Sequence, residues 1–351
     1  MKRVSLIIPT YNEAENIKPL IEEVIQKIDS TQIDVEFIIV DDNSPDGTGN
    51  IAEQLKKEYP IQIIHRSGKL GLGSAVIEGF HLSTREYLGV MDADLSHDPA
   101  ILNGMIESLD KCDIAIGSRF REGSSIEQWK WWRKATSYIG VFCARILSGV
   151  KDPLSGYFVM RRSVIDGVEL KTQGYKILFE ILIRGKQKGV REFPFTFRMR
   201  ERSTSKLNSK EYVLFGRQIV EYSIYKYQYL FRYLVVGGTA FLLDMGSLYV
   251  FKEWFDIHPA LAVALNQVFV LSYIFILNKL WAFHSPQKTG SALVRFVVLQ
   301  AFNYCFGILW MLFFYEYIGI NYLVARIVNI ILFTAWNFFL YKTWVFKKNS
   351  A

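Results

Sequence analysis

The hydrophobic pattern divides the chain into two halves. Up to about residue 208, short apolar runs alternate with stretches of helical spacing. Val4 to Ile8 is a β-branched run closed by Pro9, which predicts a strand. Glu13 to Ile28 places Ile17, Leu20, Ile21, Val24, Ile25 and Ile28 on one helical face. Val35–Val40, Ile61–His65, Tyr87–Met91 and Ile114–Ile116 predict further strands. Gly47–Tyr59, Gly73–Ser83 and Ile101–Leu109 predict helices. Repeated β-α units imply a mostly parallel, doubly wound sheet. Such sheets bind ligands beyond the carboxyl ends of their strands.

From Tyr233 onward long apolar runs dominate: Tyr233–Phe251, Ala260–Leu277, Phe296–Phe314 and Tyr322–Phe339. Each approaches the ~20 residues of a membrane-spanning helix. Helices buried in a large soluble core are the other reading, and four in succession disfavour it. A shift of 63 residues aligns Arg232 with Arg295, Asn266 with Asn329 and Phe275 with Phe338. The same shift aligns Lys279-Leu280-Trp281-Ala282-Phe283 with Lys342-Thr343-Trp344-Val345-Phe346. Each repeat is then one helical hairpin, and the two are parallel. Their Trp-x-Phe ends are expected to anchor at the cytosolic interface. Lys226, Arg232, Lys279, Lys288, Arg295, Lys342, Lys347 and Lys348 fall at one end of the spans. Lys252, Glu253, Asp256, Glu316 and Arg326 fall at the other. The positive-inside tendency puts the first end in the cytosol. Asp244 and Asn266 lie within spans, so Asp244 is either a functional acid or a helix–helix bond. Ser209 to Arg232, rich in Tyr with Lys210, Arg217 and Lys226, reads as an amphipathic surface helix or a packing helix. The expected division is 1–208 catalytic, 209–231 interfacial, and 232–348 transmembrane with four helices.

Composition narrows the partners. The 351 residues are 50% apolar and carry a net charge of +7. That charge suits nucleic acid, anionic lipid or phosphate-rich substrates. The basic residues cluster at the predicted membrane ends, so nucleic acid is disfavoured. Cys112, Cys143 and Cys305 form no C-x-x-C, so neither a disulfide framework nor a zinc site is expected. The apolar run Val4–Ile8 is too short for a signal-peptide core, so the first domain is expected in the cytosol.

Chemistry gathers at three strand ends: Pro9-Thr10-Tyr11-Asn12-Glu13, Asp41-Asp42-Asn43-Ser44, and Asp92-Ala93-Asp94. Two acids at the end of a buried strand need neutralising. A divalent cation bridging to substrate phosphates does this, and Mg²⁺ characteristically binds through one or two carboxylates. The plainer alternative is that both acids cap a turn. No G-x-G-x-x-G follows the first strand and no G-x-x-x-x-G-K-[ST] occurs. Lys69-Leu70-Gly71-Leu72-Gly73 is either a phosphate loop or a tight turn. Trp129-Lys130-Trp131-Trp132-Arg133-Lys134 reads as a membrane-interface segment.

Several motifs carry a family resemblance. They are Ile8-Pro9-Thr10-Tyr11-Asn12-Glu13, Val40-Asp41-Asp42-Asn43-Ser44-Pro45-Asp46-Gly47-Thr48 and Met91-Asp92-Ala93-Asp94-Leu95-Ser96-His97. Gly117-Ser118-Arg119-Phe120, Asp152-Pro153-Leu154-Ser155-Gly156-Tyr157 and Phe197-Arg198-Met199-Arg200 through Ser205-Lys206-Leu207 follow in order. Together they resemble the inverting nucleotide-sugar glycosyltransferases of the GT-A fold, and more narrowly the dolichyl-phosphate mannose synthases and their polyprenyl-phosphate relatives. Ser203-Thr204 departs from the family, which usually has glycine before Ser-Lys-Leu. The C-terminal half resembles the GtrA-like four-helix membrane domains.

The resemblance implies an α/β GT-A catalytic domain with a Rossmann-like, mostly parallel sheet, followed by an all-α four-helix transmembrane domain. It implies that Pro9, Tyr11, Glu13, Val40 and Asp42 hold the guanosine end of GDP-mannose. Asp92, Ala93 and Asp94 would lie by the ribose and diphosphate. Asp94 would be the main ligand of Mg²⁺ or Mn²⁺, with Asp92 and Ser96 nearby or acting through water. His97, on a loop, is expected to be solvated rather than a ligand. Arg119, Arg133, Lys176, Arg200 and Lys206 would supply positive charge for phosphates. Arg119 and Arg133 are the expected acceptor clamps, with Ser137 donating one hydrogen bond. Asp94, Arg119 and Arg133 form the expected catalytic set. The implied reaction transfers mannose to dolichyl or another polyprenyl phosphate with inversion, at the cytosolic face of the bilayer. The alternatives are a UDP-glucose:undecaprenyl-phosphate glucosyltransferase, or a membrane half that flips the lipid-linked sugar.

Overall fold

The computed structural model describes residues 1–126, 141–171, 176–198, 209–255 and 259–347. Its contacts divide the chain into Met1–Lys226 and Tyr227–Ala351.

The first unit is built on a seven-stranded sheet. In chain order the strands are β1 Lys2–Thr10, β2 Ile33–Asp41, β3 Ile61–His65, β4 Tyr87–Val90, β5 Ile114–Ser118, β7 Phe158–Arg161 and β8 Val190–Pro194. β6 Ser125–Ile126 and β9 Thr196–Phe197 pair separately. Spatial order is β3-β2-β1-β4-β7-β5-β8, with β7 alone antiparallel to its neighbours. Every residue of β4 is buried. Both its faces are covered, which is why its sequence reads as one apolar run instead of an alternation. The crossover helices are α1 Ile17–Lys27, α2 Thr48–Leu55, α3 Leu72–Leu82 and α4 Leu102–Ser108. α1 buries Ile17, Leu20, Ile21 and Val24 on one face of the sheet. Val76, Phe80 and Ile77 of α3 pack on the other. Because β1 pairs in parallel with both β2 and β4, their carboxyl ends open on one edge.

A helix through residues 141–148, α5, packs Val141, Ala144 and Leu147 with Phe179 of α6 Ile177–Arg184 and Tyr222 of α7 Ser209–Lys226. Glu221 of α7 pairs with Arg184 at 2.9 Å and Lys171 at 2.8 Å. One face of α7 is therefore a packing face, and contacts group the helix with the first unit as far as Lys226. Val220 and Ile224 point outward.

The second unit contains α8 Gln228–Glu253, α9 Pro259–Leu277, α10 Thr289–Met311 and α11 Tyr322–Leu340. Among the described residues, three helices are long and apolar enough to cross a membrane: Gln228–Phe251, Leu265–Ala282 and Thr289–Tyr317. α11 coincides with the fourth expected span and is 19 residues long. The repeat is visible in detail. π-helical turns at Asn278–Ala282 and Tyr341–Val345 end α9 and α11, 63 positions apart. Arg232 Nη1 donates to the Trp281 carbonyl at 3.3 Å, and Arg295 Nη1 to that of Trp344 at 3.0 Å. The Trp-x-Phe expectation needs correcting for its phenylalanines. Phe283 and Phe346 are buried and stack on each other at 5.7 Å, joining the two repeats. Asp244 makes a helix–helix bond: Asn266 Nδ2 donates to its Oδ1 at 2.6 Å.

Candidate active site

β1, β2 and β4 deliver their last residues to the same edge, and the loops that follow are tied down by side-chain oxygens. After β2, Asp41 accepts from the Thr10 hydroxyl at 3.0 Å and the Ser44 amide at 3.0 Å. Asp42 accepts from the Arg66 guanidinium through Oδ1 and from the Leu70 and Gly71 amides, at 3.1 and 3.0 Å, through Oδ2. Lys69-Leu70-Gly71 is thus a turn held by a carboxylate. Two amides that a phosphate loop would offer are already bonded to Asp42. Lys69 Nζ lies 4.1 Å from the Tyr11 ring centre, a cation–π contact at the site's rim. Val40 is wholly buried in the core beneath this edge. Pro9 and Glu13 are half-buried at the same edge. The Glu13 amide donates to Thr48 and its carboxylate accepts from Asn16.

The loop after β4 is shaped differently. Leu95 takes φ +61°, a left-handed conformation unusual for a branched side chain. It folds Ser96 back so that its amide and hydroxyl both donate to Asp94 Oδ1, at 3.1 and 2.5 Å. Ser96 is fully buried and acts on the carboxylate rather than facing outward. Asp92 keeps 23% of its side chain exposed. It lies against Gly156, where a Cβ would meet Asp92 Oδ2 at 2.9 Å. A larger residue at 156 would push this carboxylate aside. The small Ala93 is buried between the two acids.

His97 departs from its expected solvated state, with only 2% exposure. Its Nδ1 accepts from the Asp92 amide at 3.2 Å, which places the ring proton of the neutral form on Nε2. That Nε2 lies 3.8 Å from Asp92 Oδ2. The ring stacks on Tyr157 at 4.9 Å and meets Phe195 and Phe197 edge-on. Tyr157 crosses Gly117, where a Cβ would meet its ring at 2.6 Å, and donates to the Asp98 carbonyl at 3.0 Å. Burial pushes the Tyr157 phenol well up, so it remains a donor.

Arg119 is the site's fixed cation. Nε and Nη2 grip both Asp152 oxygens at 2.8 Å, and its backbone amide adds a bond at 2.9 Å. Burial alone would raise the Asp152 pKa, but Arg119's charge and hydrogen bonds, with Lys176's charge, hold it below the usual carboxylate range. Burial would lower the Arg119 pKa, and Asp152 and Asp92 instead push it up, so the guanidinium stays charged. Asp152 is itself anchored by Glu192, which accepts from the Asp152 and Lys151 amides at 2.9 and 3.0 Å. Lys176 Nζ donates to the Leu154 carbonyl at 3.2 Å, on the same loop. The edge therefore juxtaposes Asp92 and Asp94 with a buried, oriented arginine. Such an edge can hold a phosphorylated ligand and a hard cation together.

Of the expected site, Arg133, Ser137, Arg200 and Lys206 lie outside the described residues. So do the tryptophans at 129, 131 and 132. Asp152 and Tyr157 lie in a motif the sequence displays, though no role was legible for them. Glu192 and Arg66 carry no sequence signal, and the Gly-rich motif that holds Lys69 gives no hint of Tyr11, because the partners are distant along the chain.

Residues 5–169 match the glycosyl transferase family 2, and residues 232–346 match the GtrA/DPMS transmembrane domain. The chain is similar to a dolichol-phosphate mannosyltransferase of Pyrococcus furiosus: 37% identical over 345 residues, covering 94% of this chain and 95% of that one. It is similar to the dolichol-phosphate mannosyltransferase of Saccharomyces cerevisiae at 33% identity over 234 residues, covering 64% of this chain and 88% of the relative. A polyprenol monophosphomannose synthase of Mycolicibacterium smegmatis is 37% identical over 220 residues, covering 59% and 82%.

Proposed function

Since the chain belongs to the dolichol-phosphate mannosyltransferase family, we propose that it transfers mannose from GDP-mannose to dolichyl or another polyprenyl phosphate, with inversion. The observation that carries this reading is the match along almost the whole chain, catalytic and membrane parts together. The site's geometry supports it.

The acceptor is a phosphate monoester, already anionic near neutral pH. No general base is needed; the oxygen that attacks the anomeric carbon needs charge neutralisation and aim. Arg119 suits that task. Asp152 occupies its Nε and Nη2 and fixes the plane of the guanidinium. Nη1 is then directed to a phosphate oxygen. Lys176 adds charge nearby, and Arg133, Ser137, Arg200 and Lys206 are proposed to complete the two phosphate sites. Tyr11, with Lys69 over its ring, flanks the base of the donor. Asp42 shapes that wall through the 66–71 turn, and Pro9, Glu13 and Val40 build its floor.

The donor set fits a hard divalent cation. Among the described residues no cluster of three or more His, Cys, Asp and Glu forms an all-protein cage. Asp94, with Asp92 beside it, would hold Mg²⁺ or Mn²⁺ and leave the remaining positions to diphosphate oxygens. The ion when bound stabilises charge on the leaving diphosphate. Ser96 fixes the Asp94 carboxylate, and His97 fixes the backbone at Asp92.

All four helices, α8 to α11, are proposed to span the bilayer, with the catalytic unit in the cytosol. The basic residues at the Trp281 and Trp344 ends support this orientation. A cysteine placed at Gln287 should then react with an impermeant thiol reagent only from the cytosolic side.

The test is a donor panel on the full chain with a short polyprenyl phosphate and Mg²⁺ or Mn²⁺. Transfer from GDP-mannose, abolished by EDTA and by Asp94→Ala, is expected. Transfer from UDP-glucose alone would overturn the donor assignment.

A further inference from the structure

The two membrane repeats share one aligned asparagine but satisfy it differently, and the difference falls on a groove. In the first repeat Asn266 is satisfied: it donates to Asp244 and accepts from Ser247. A shift of 63 residues makes Asn329 its counterpart, but Gly307 stands at the Asp244 position and Trp310 at that of Ser247. Asn329 is 1% exposed, and neither its Oδ1 nor its Nδ2 has a partner. An amide buried without partners is costly to keep, so something must be gained by keeping it.

Asn329 lines an open groove of about 1280 Å³ on the second unit, whose rim carries the exposed Val268, Val297 and Tyr304. Gln300, Asn303 and Asn337 line it too. Their counterparts in the first repeat are Gly237, Ala240 and Ile274. The amide cluster therefore belongs to the second repeat alone. Asn303 Nδ2 donates to Asn337 at 2.8 Å while its own Oδ1 has no partner. Aromatic rings from Phe275, Phe296 and Phe333 complete the walls. Among the described lining residues there is no Lys or Arg.

We propose that this groove binds the uncharged sugar headgroup of a glycolipid within the bilayer. A sugar hydroxyl both donates and accepts, and so does an amide side chain. The unpartnered pair on Asn329 meets one hydroxyl, and the Asn303 oxygen another. Aromatic faces receive the apolar C–H face of the ring. The described walls hold Glu316 and no Lys or Arg, which favours neutral hydroxyls over a phosphate. The volume takes a hexose with the first part of its chain.

Native mass spectrometry of the full chain in a non-glycosidic detergent tests this, with monomannosyl diacylglycerol against diacylglycerol as probes. Both lipids lack phosphate, so neither reports on the catalytic edge. The expected result is retention of the mannosyl lipid at least tenfold over diacylglycerol. Asn329→Leu should erase that preference. Gly307→Asp should erase it as well, by giving Asn329 the carboxylate partner that Asn266 has. A Cβ at Gly307 meets only Phe333 Cε2, at 3.7 Å, so there is room for the start of the new side chain. Polyprenyl-phosphate mannose transfer by both variants should stay within twofold of wild type, which also reports that they fold. Equal binding of the two lipids by the wild-type chain would overturn the proposal. So would a mannosyl preference that survives both substitutions. Failure of mannose transfer in the wild type would count against the proposed reaction and not against this site.

Discussion

Two acidic pairs close the two strands that flank β1, and their surroundings make them different devices. Asp41 and Asp42, after β2, are nearly closed off, with 7% of the Asp42 side chain exposed. Their oxygens bond to Thr10, Ser44, Arg66, Leu70 and Gly71. Asp92 and Asp94, after β4, are held from behind. Ser96 grips one side of Asp94, and His97 grips the backbone of Asp92 while its carboxylate stays partly open. The same residue type at the same strand position is a loop clamp in one case and, on the proposed function, a ligand platform in the other. What separates them is the supply of partners. Arg66 arrives beside Asp42 directly after β3. Arg119, whose charge acts on Asp92, has two of its three nitrogens already occupied by Asp152.

The sharpest way to break this comparison is to neutralise one acid of each pair. Asp94→Asn should lower kcat by roughly 10²–10³-fold and leave the melting temperature near that of the wild type. Asp42→Asn leaves the buried Arg66 with only Glu78 as a charged partner, and should cost about 3 kcal/mol of stability. The kcat of its folded fraction should hold. Equal losses of kcat in both, without unfolding, would erase the distinction. Asp152→Asn should show both effects, destabilising by about 3 kcal/mol and raising KM for the lipid phosphate as Arg119 loses its aim.

Acid sharpens the same point. The folded Asp152 pKa is depressed below that of the unfolded chain, burial opposing and Arg119 prevailing. Its contribution to stability is complete above the ordinary carboxylate range and lost as pH falls through the depressed value. A melting-temperature profile should decline on that acid side, and Asp152→Asn should flatten the decline.

Smaller effects test the supports. His97→Phe keeps a ring against Tyr157 but removes the acceptor of the Asp92 amide. An orphaned buried amide costs about 1–3 kcal/mol, and kcat should fall about tenfold with KM little changed. In the membrane unit Ser247→Ala removes one bond to Asn266 and should cost only about 0.6 kcal/mol in a detergent unfolding assay.

Much was legible before any coordinates. Period and burial are local in consequence, so strand β3 falls on the expected residues, and β4 and α1 within a few positions. The membrane repeat was legible for the same reason, since equal sequences at equal spacing make equal hairpins. The Asp-x-Asp platform was visible because strand, acids and turn are consecutive. His97 was misjudged because burial is set by what packs over a loop, and Tyr157, Phe195 and Phe197 come from far along the chain. The bond from Arg66 to Asp42 was not legible, because nothing near Asp42 in sequence announces Arg66.

By itself, then, the sequence determined the order of elements, the two-part architecture, and which strand ends carry acids. These follow from short-range periodicity and from the free energy of removing apolar surface from water. Tertiary structure alone decided which acids are closed, which cation is aimed and which amide is left open. Those outcomes depend on partners tens to hundreds of residues away, as Asp152 is from Arg119 and Glu192 from Asp152. The Asn266 and Asn329 pair makes the point most directly. The two residues align in sequence, and only the helix packed against each decides whether its amide is satisfied.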